Sequence, residues 1–154
     1  MSASEAADAG APSRVEFRVG LADPLGYCCA LLRSATAKGA RIVVCAAPAV
    51  VDELDQRLWT SSQLDFLAHG RVGDATAARS PIVLSARSDV RGIEGRDCLV
   101  NLGPEPVQGW NELARVIELV GADEASKAAA RSRFRAYREA GCRPQTLEVA
   151  HETR

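Results

Sequence analysis

Few features of this sequence point to a specialised environment. Its apolar stretches fall short of the roughly 18 residues that a membrane-spanning helix needs. The N-terminus lacks the basic segment followed by an apolar run that marks a signal peptide. The formal net charge is only −1, which argues against a protein that coats nucleic acid through a strongly basic domain. We therefore expect a cytoplasmic protein in which any basic site is a local feature.

Motifs for nucleotide binding, catalysis and metal binding are also missing. The first predicted strand-to-helix turn, residues 20–26, carries neither GxGxxG nor the Gly-Lys-Ser/Thr of a P-loop. The nucleophile elbow GxSxG is absent. Two histidines, and five cysteines without a CxxC pair, do not supply a metal cluster. We expect no active site and no cofactor, and we interpret the cysteines as reduced thiols that pack as small hydrophobic residues.

The apolar residues that are present follow a pattern of alternating strands and helices. Val15, Phe17 and Val19 alternate with polar residues, as in a half-buried strand. The predicted strands are 14–19, 41–47, 81–85, 98–102 and a short terminal 147–149; the predicted helices are 24–38, 48–59, 110–120 and 123–140; residues 70–80 are predicted to be an exposed loop. This alternation predicts a three-layer α/β domain of the Rossmann-like kind, with a largely parallel sheet, helices on both faces and no nucleotide-binding loop.

The length and the local composition predict the domain organisation. A chain of 154 residues is long enough for one such domain and too short for two. Residues 1–13 are small, polar and acidic without apolar periodicity, which predicts a disordered tail. We therefore expect one domain over residues 14–150 and a short C-terminal tail over 151–154.

The segment 127–141 is the strongest candidate site. Six basic residues between positions 127 and 143 face one acid, Glu139, which gives a local charge of +5. In a helix, an arc about 100° wide contains one aromatic ring and four cations, namely Phe134 with Lys127, Arg131, Arg135 and Arg138. Basic residues near a helix C-terminus also stabilise the helix dipole, by about 0.3–1 kcal/mol each. A ring among four cations instead favours an acidic, partly apolar peptide or nucleic acid.

A second candidate site lies in residues 54–67. Trp59 and Phe66 fall at the end of a predicted helix and in the polar loop that follows it. These rings could close the hydrophobic core. Alternatively, they could form an exposed aromatic patch for a protein partner, because aromatic side chains dominate the energetics of interfaces.

At these two places the chain resembles the chi subunit family of bacterial DNA polymerase III holoenzyme, and the order and spacing fit over roughly residues 14–150. The matching motifs are Leu54-Asp55-x-x-Leu58-Trp59, Phe66-x-x-His69 and Arg131-x-Arg133-Phe134-Arg135-x-Tyr137-Arg138-x-x-Gly141. The resemblance implies a non-catalytic accessory subunit of the clamp-loader assembly, with a Rossmann-like fold that binds no nucleotide.

The resemblance also implies two partners. One is the acidic, Phe-terminated C-terminal tail of single-stranded DNA-binding protein, which is expected to contact Lys127, Arg131, Phe134, Arg135 and Arg138. The other is the psi subunit of the clamp loader, which is expected to contact Trp59 and Phe66. The alternative is a nucleic-acid-binding module that uses the basic helix over 127–141 on phosphates.

Overall fold

The computed structural model describes residues 13–60 and 67–149. Within these ranges, seven strands form one sheet: β1 (Arg14–Leu21), β2 (Ile42–Cys45), β3 (His69–Arg71), β4 (Ile82–Ser85), β5 (Cys98–Asn101), β6 (Arg115–Gly121) and β7 (Gln145–Glu148). The helices described are α1 (Pro24–Ala37), α2 (Pro48–Thr60), α3 (Glu124–Glu139) and two short 3₁₀ helices, η1 (Ala77–Arg79) and η2 (Trp110–Glu112). Neighbouring strands are parallel, in the order β3-β4-β2-β5-β6-β1-β7. The predicted α/β class and parallel sheet are confirmed.

Helices cover both faces of the sheet. α1 and α2 pack on one face through residues such as Leu32 and Leu54, and α3 packs on the other through residues such as Ala130. Because successive side chains of a strand point to opposite faces, Val43 and Val44 of β2 belong to the two different hydrophobic clusters. The predicted three-layer arrangement is therefore confirmed.

The buried cysteines are part of this core. Cys28, Cys29, Cys45 and Cys98 are buried, Cys142 is partly buried, and all five are free thiols. Burial raises the pKa of the Cys45 thiol to about 12, which keeps it protonated and unreactive. The interpretation of the cysteines as packed thiols is confirmed.

Helix α3 begins and ends close to its predicted limits. The Asp123 carboxylate accepts a hydrogen bond of 3.0 Å from the backbone N–H of Ser126, which satisfies one of the free donors at the helix start. After the helix, Gly141 has a φ of 92°, a left-handed conformation that ends helices at low cost for glycine. α3 connects β6 to β7, the two strands that flank β1.

The prediction of a helix over 110–120 is wrong. Trp110–Glu112 is a short 3₁₀ helix, and Arg115–Gly121 is the strand β6, which lies between β5 and β1. Val116 and Ile117 point to opposite faces of the sheet and join different hydrophobic clusters. A strand that is buried on both faces shows no alternation, so the apolar pattern did not separate it from a helix.

Two smaller predictions also need correction. The segment 70–80 is not entirely loop, because it contains the end of β3 and all of η1. Ser13 does not belong to a disordered tail: it is buried, and its hydroxyl donates a hydrogen bond to the backbone oxygen of Leu113. The rest of the N-terminal tail predicted over 1–13, and the C-terminal tail predicted over 151–154, lie outside the described residues. In the part of the chain that the structure describes, we find no helix with the length and apolar character to cross a membrane.

Candidate binding surfaces

Helix α3 presents its four cations to solvent. Lys127, Arg131, Arg135 and Arg138 are all exposed. Lys127 forms an ion pair with Glu124, with 3.7 Å between Nζ and Oε2. The three arginines have no ion-pair partner among residues 13–60 and 67–149. Their positive charge is therefore available to a ligand.

Phe134 connects these cations to an apolar cavity. Its ring is half-buried and packs on Phe17 of β1, with ring centroids 5.3 Å apart and planes tilted by 52°. The cavity measures about 450 Å³ and lies between α3 and the strands β1, β6 and β7. Its lining comprises Phe17, Val19, Gly20, Val120, Ala122, Lys127, Ala130, Arg131, Phe134, Thr146, Glu148 and Val149.

The remaining two arginines line a second depression on the outer side of α3. It measures about 430 Å³, and its lining comprises Arg131, Phe134, Arg135, Arg138 and Glu139. Arg131 and Phe134 belong to both depressions. The five predicted residues thus form two adjoining sites: an apolar cavity with Lys127, and an open, charged face with Arg135 and Arg138. We call the five residues together the basic surface.

The rotation of α3 is fixed by a buried polar network that the sequence analysis did not identify. Arg133 lies on the inner side of α3, where its Nε donates a hydrogen bond of 2.8 Å to Oε1 of Glu118 on β6. The hydroxyl of Tyr137 donates a hydrogen bond of 2.6 Å to Oε2 of the same carboxylate. The Asn101 side chain of β5 donates to both Glu118 oxygens, at 3.0 and 3.2 Å.

This network places two charges in the protein interior. Glu118 and Arg133 have side-chain exposures of 0% and 3%. Burial raises the pKa of Glu118, and the Arg133 charge opposes that rise. At helical spacing, Arg133 falls outside the arc that holds the basic surface. This position in the sequence could have indicated that its role differs from that of the neighbouring arginines.

The floor of the apolar cavity also includes residues that the sequence did not reveal. Thr146 and Glu148 of β7 point to the α3 side, because they pair with Phe17 and Val19 of β1. The pairing of β7 with β1 joins segments more than 120 residues apart, so no local sequence pattern predicts it. Glu148 introduces an acid into an otherwise basic and apolar site.

The second candidate site is at the opposite end of the sheet. Trp59 is 57% exposed at the end of α2. Its ring packs against the ring of His69 on β3, with centroids 5.0 Å apart and planes tilted by 59°. We call Trp59 with its His69 support the Trp59 surface. Trp59 does not close the core, whereas Phe66, predicted to act with it, lies outside the described residues.

Ionic contacts fix the residues beneath Trp59. Arg71 of β3 contacts Asp52 and Asp55 of α2, at 2.9 Å each. Asp55 also lies 2.7 Å from the His69 ring. Burial would raise the pKa of Asp55, but hydrogen bonds from Arg71 and His69 outweigh it and leave the pKa below its usual value.

The fold and the two surfaces define a class: an α/β domain that presents open charge at one edge of its sheet and an aromatic ring at the other. Residues 13–145 match the family described as DNA polymerase III chi subunit, HolC. The chain belongs to this family, and its role is therefore in DNA replication.

Individual relatives agree with the family match. A DNA polymerase III subunit chi from Pseudomonas aeruginosa is 35% identical over 134 residues, which cover 84% of this chain and 92% of the relative. The protein of the same name from Haemophilus influenzae is 31% identical over 122 residues, which cover 79% and 84%. The Escherichia coli protein of that name is 26% identical over 100 residues, which cover 65% and 67%.

Proposed function

We propose that this protein is a non-catalytic accessory subunit of the DNA polymerase III holoenzyme in the cytoplasm. It links the clamp loader, through the psi subunit, to the acidic C-terminal tail of single-stranded DNA-binding protein. Family membership supports the replication role. The observation that carries the tail contact is the set of arginines on α3 without ion-pair partners in the described chain, beside an apolar cavity that Phe134 lines.

The basic surface has the chemistry that an acidic peptide with an aromatic end requires. The terminal aromatic ring enters the cavity against Phe134 and Phe17, because edge and tilted contacts between rings are favourable. The terminal carboxylate lies near Lys127 and Arg131, and arginine binds carboxylates through two parallel hydrogen bonds. The upstream acids face Arg135 and Arg138 on the outer depression.

The psi contact is assigned to Trp59 and Phe66. An indole ring that is more than half exposed loses a large apolar area from water when a partner covers it. Tryptophan is also enriched among the residues that dominate interface energies. The acidic tail and psi therefore occupy separate surfaces, and both can bind at once.

Titration calorimetry with a synthetic acidic peptide that ends in phenylalanine tests the tail contact. Because hydrogen bonds to charged groups contribute about 1.5–3 kcal/mol, we expect Arg131→Glu and Arg135→Ala each to weaken binding by about tenfold or more. Arg79→Glu is the matched control, since Arg79 is exposed on η1 and distant in sequence from α3. Unchanged affinity in both α3 variants would exclude the basic surface as the tail site.

A second candidate function uses the outer depression alone. Arg131, Arg135 and Arg138 line it with one acid, Glu139, and such a face also suits the phosphates of single-stranded nucleic acid. The same variants are therefore titrated with a naked oligonucleotide. Tight oligonucleotide binding without peptide binding would favour the nucleic-acid function over the tail contact.

A further inference from the structure

A further cavity lies at the amino ends of β1, β6 and β7, whereas the apolar cavity lies toward their carboxyl ends. It measures about 340 Å³ and is lined by Arg14, Arg115 and Arg143. Arg14 and Arg115 are the first residues of β1 and β6, and Arg143 lies in the turn between α3 and β7. We call it the amino-end cavity. Three arginines from separate segments of the chain thus meet at one opening.

These arginines carry more positive charge than the single acid in the described lining can balance. That acid is Glu16, whose Oε1 lies 3.3 Å from Nη2 of Arg115 and 3.3 Å from Nη2 of Arg18. Arg14 and Arg143 are exposed and have no ion-pair partner among the residues that the structure describes. The lining has a formal charge of +2, and its one carboxylate is shared with Arg18.

The strand register holds two of the cations side by side. Arg14 and Arg115 occupy paired positions of β1 and β6, so their side chains leave the sheet on the same face. Like charges at this separation repel each other, and an anion that contacts both would relieve the repulsion. The end of α3 also adjoins the cavity, but its last carbonyl oxygens accept hydrogen bonds from the N–H groups of residues 140–142, which offsets part of their negative potential.

The lining favours a phosphate group over a peptide with an aromatic end. Guanidinium groups bind phosphate oxygens through paired hydrogen bonds. In contrast to the cavity beside Phe134, the described lining contains no aromatic ring, and Val15 is its one aliphatic side chain. Nucleic acid bases that bind by stacking also need aromatic side chains. The amino-end cavity therefore has cations for an anion but no apolar surface for a ring or a base.

We propose that the amino-end cavity is a phosphate-binding site in which Arg14, Arg115 and Arg143 hold one phosphate group. The site is separate from the basic surface and from the Trp59 surface, so the inference does not depend on the proposed tail or psi contacts. The phosphate is either free, as in pyrophosphate, or part of a nucleic acid strand, and the same chemistry recognises both.

The thiol of Cys142 provides a local test, because it lines this cavity and is partly buried while the other four cysteines are buried. Its alkylation by iodoacetamide, a small neutral reagent, is followed by peptide mass spectrometry on the full chain. Pyrophosphate at about ten times its Kd leaves few sites open and should slow the reaction by about tenfold. Equal rates in pyrophosphate and in sodium chloride of the same ionic strength would overturn the proposal.

Substitutions of the exposed arginines test which side chains bind. Arg14→Gln and Arg143→Gln should each raise the pyrophosphate concentration that gives half protection by about tenfold, because each removes charged hydrogen bonds. Arg79→Gln is the matched control, since Arg79 is exposed on η1 and does not line the cavity. Thermal midpoints report folding. Protection that is unchanged in both variants, or that is lost equally in Arg135→Gln on the outer side of α3, would overturn the assignment to this cavity.

The source of the phosphate is tested with the same reaction. Pyrophosphate and a single-stranded oligonucleotide are compared at equal concentrations of phosphate groups. Stronger protection by the oligonucleotide supports a nucleic acid strand as the source, and stronger protection by pyrophosphate supports a free phosphate. Protection of Cys142 by the acidic peptide that ends in phenylalanine, at a lower concentration than by either phosphate compound, would overturn the phosphate assignment.

Discussion

The two candidate surfaces use charge in opposite ways. On the basic surface, Arg131, Arg135 and Arg138 have no ion-pair partners within the described residues, so their charge faces outward. On the Trp59 surface, Arg71 forms ion pairs with Asp52 and Asp55, and Asp55 also contacts the His69 ring. The charges there are paired with one another, and an aromatic ring faces outward. A surface with open charge attracts an acidic ligand, whereas a surface with paired charge holds an apolar anchor in place.

The supports beneath the two surfaces differ as well. The basic surface stands on the buried Glu118–Arg133 pair, with exposures of 0% and 3%. The Trp59 surface stands on pairs that are partly open to water, such as Arg71–Asp52 at 39% and 68%. Because water screens exposed charges, the first surface should depend much more strongly on its ion pair for stability.

The largest expected effect is on the free energy of unfolding, when the buried ion pair and the exposed ion pair are each broken. Glu118→Ala leaves the Arg133 charge buried without its partner, and removal of one member of a buried pair typically costs about 3–5 kcal/mol of folding free energy. Asp52→Ala breaks an exposed pair and should cost less than about 1 kcal/mol. Denaturant unfolding of both variants measures the contrast, and equal losses would contradict it.

The next effect concerns the anchor of the Trp59 surface. Trp59→Ala should weaken psi binding by about 2 kcal/mol, which is about thirtyfold, without lowering the thermal midpoint. Val72→Ala is the control, because Val72 is also an exposed apolar residue, just beyond β3. Neither change should alter binding of the acidic peptide, and a shared loss would show that the two surfaces are not independent.

The binding affinities of the two surfaces should respond differently to salt, because only the basic surface binds through exposed charges. Raising the ionic strength from about 0.05 M to about 0.5 M should weaken acidic-peptide binding by about tenfold, because exposed charges become screened. Binding at Trp59 should change by less than about twofold over the same range. Parallel titrations at the two salt concentrations provide the measurement, and a similar salt response at both would contradict the division of charge.

The smallest expected effect is on pH dependence. Since hydrogen bonds from Arg71 and His69 outweigh burial and lower the pKa of folded Asp55, its stabilising contribution is present above the unfolded value of about 3.9 and is lost as pH falls through the folded value. The stability difference between wild type and Asp55→Asn should therefore shrink in acid. Thermal midpoints at pH 6 and pH 3 test this. The arginines of the basic surface do not titrate in this range, so Arg135→Ala should show no such trend.

The sequence predicted the parts of the molecule that local patterns encode. Helix α3 was predictable because Asp123 precedes it, Gly141 follows it, and its cations recur at helical spacing. The exposure of its cations followed from the same spacing. The strand β6 was not predictable in this way, because burial on both faces removes the alternation that marks a strand.

The parts that were missed depend on contacts between distant segments. The role of Arg133 as a buried partner requires Glu118 from β6 and Asn101 from β5, which only the folded sheet brings together. Glu148 enters the apolar cavity because β7 pairs with β1. Likewise, the support of Trp59 by His69 joins the end of α2 to an edge strand of three residues, too short to show a pattern.

The strand order has a mechanical consequence. The Trp59 surface lies by β3 and the cavity by β1 and β7, near opposite edges of a seven-stranded sheet, which is roughly 29 Å across at about 4.8 Å per strand. A pulling force between partners held at these edges would act across the strands, along their hydrogen bonds, so the strand pairs would carry it in series. Where the force enters through His69 of β3, the sheet should open first where pairing is shortest, at the three-residue contact of β3 with β4. Under tension, the β3–β4 contact would separate at a lower force than is needed to slide the strands past one another.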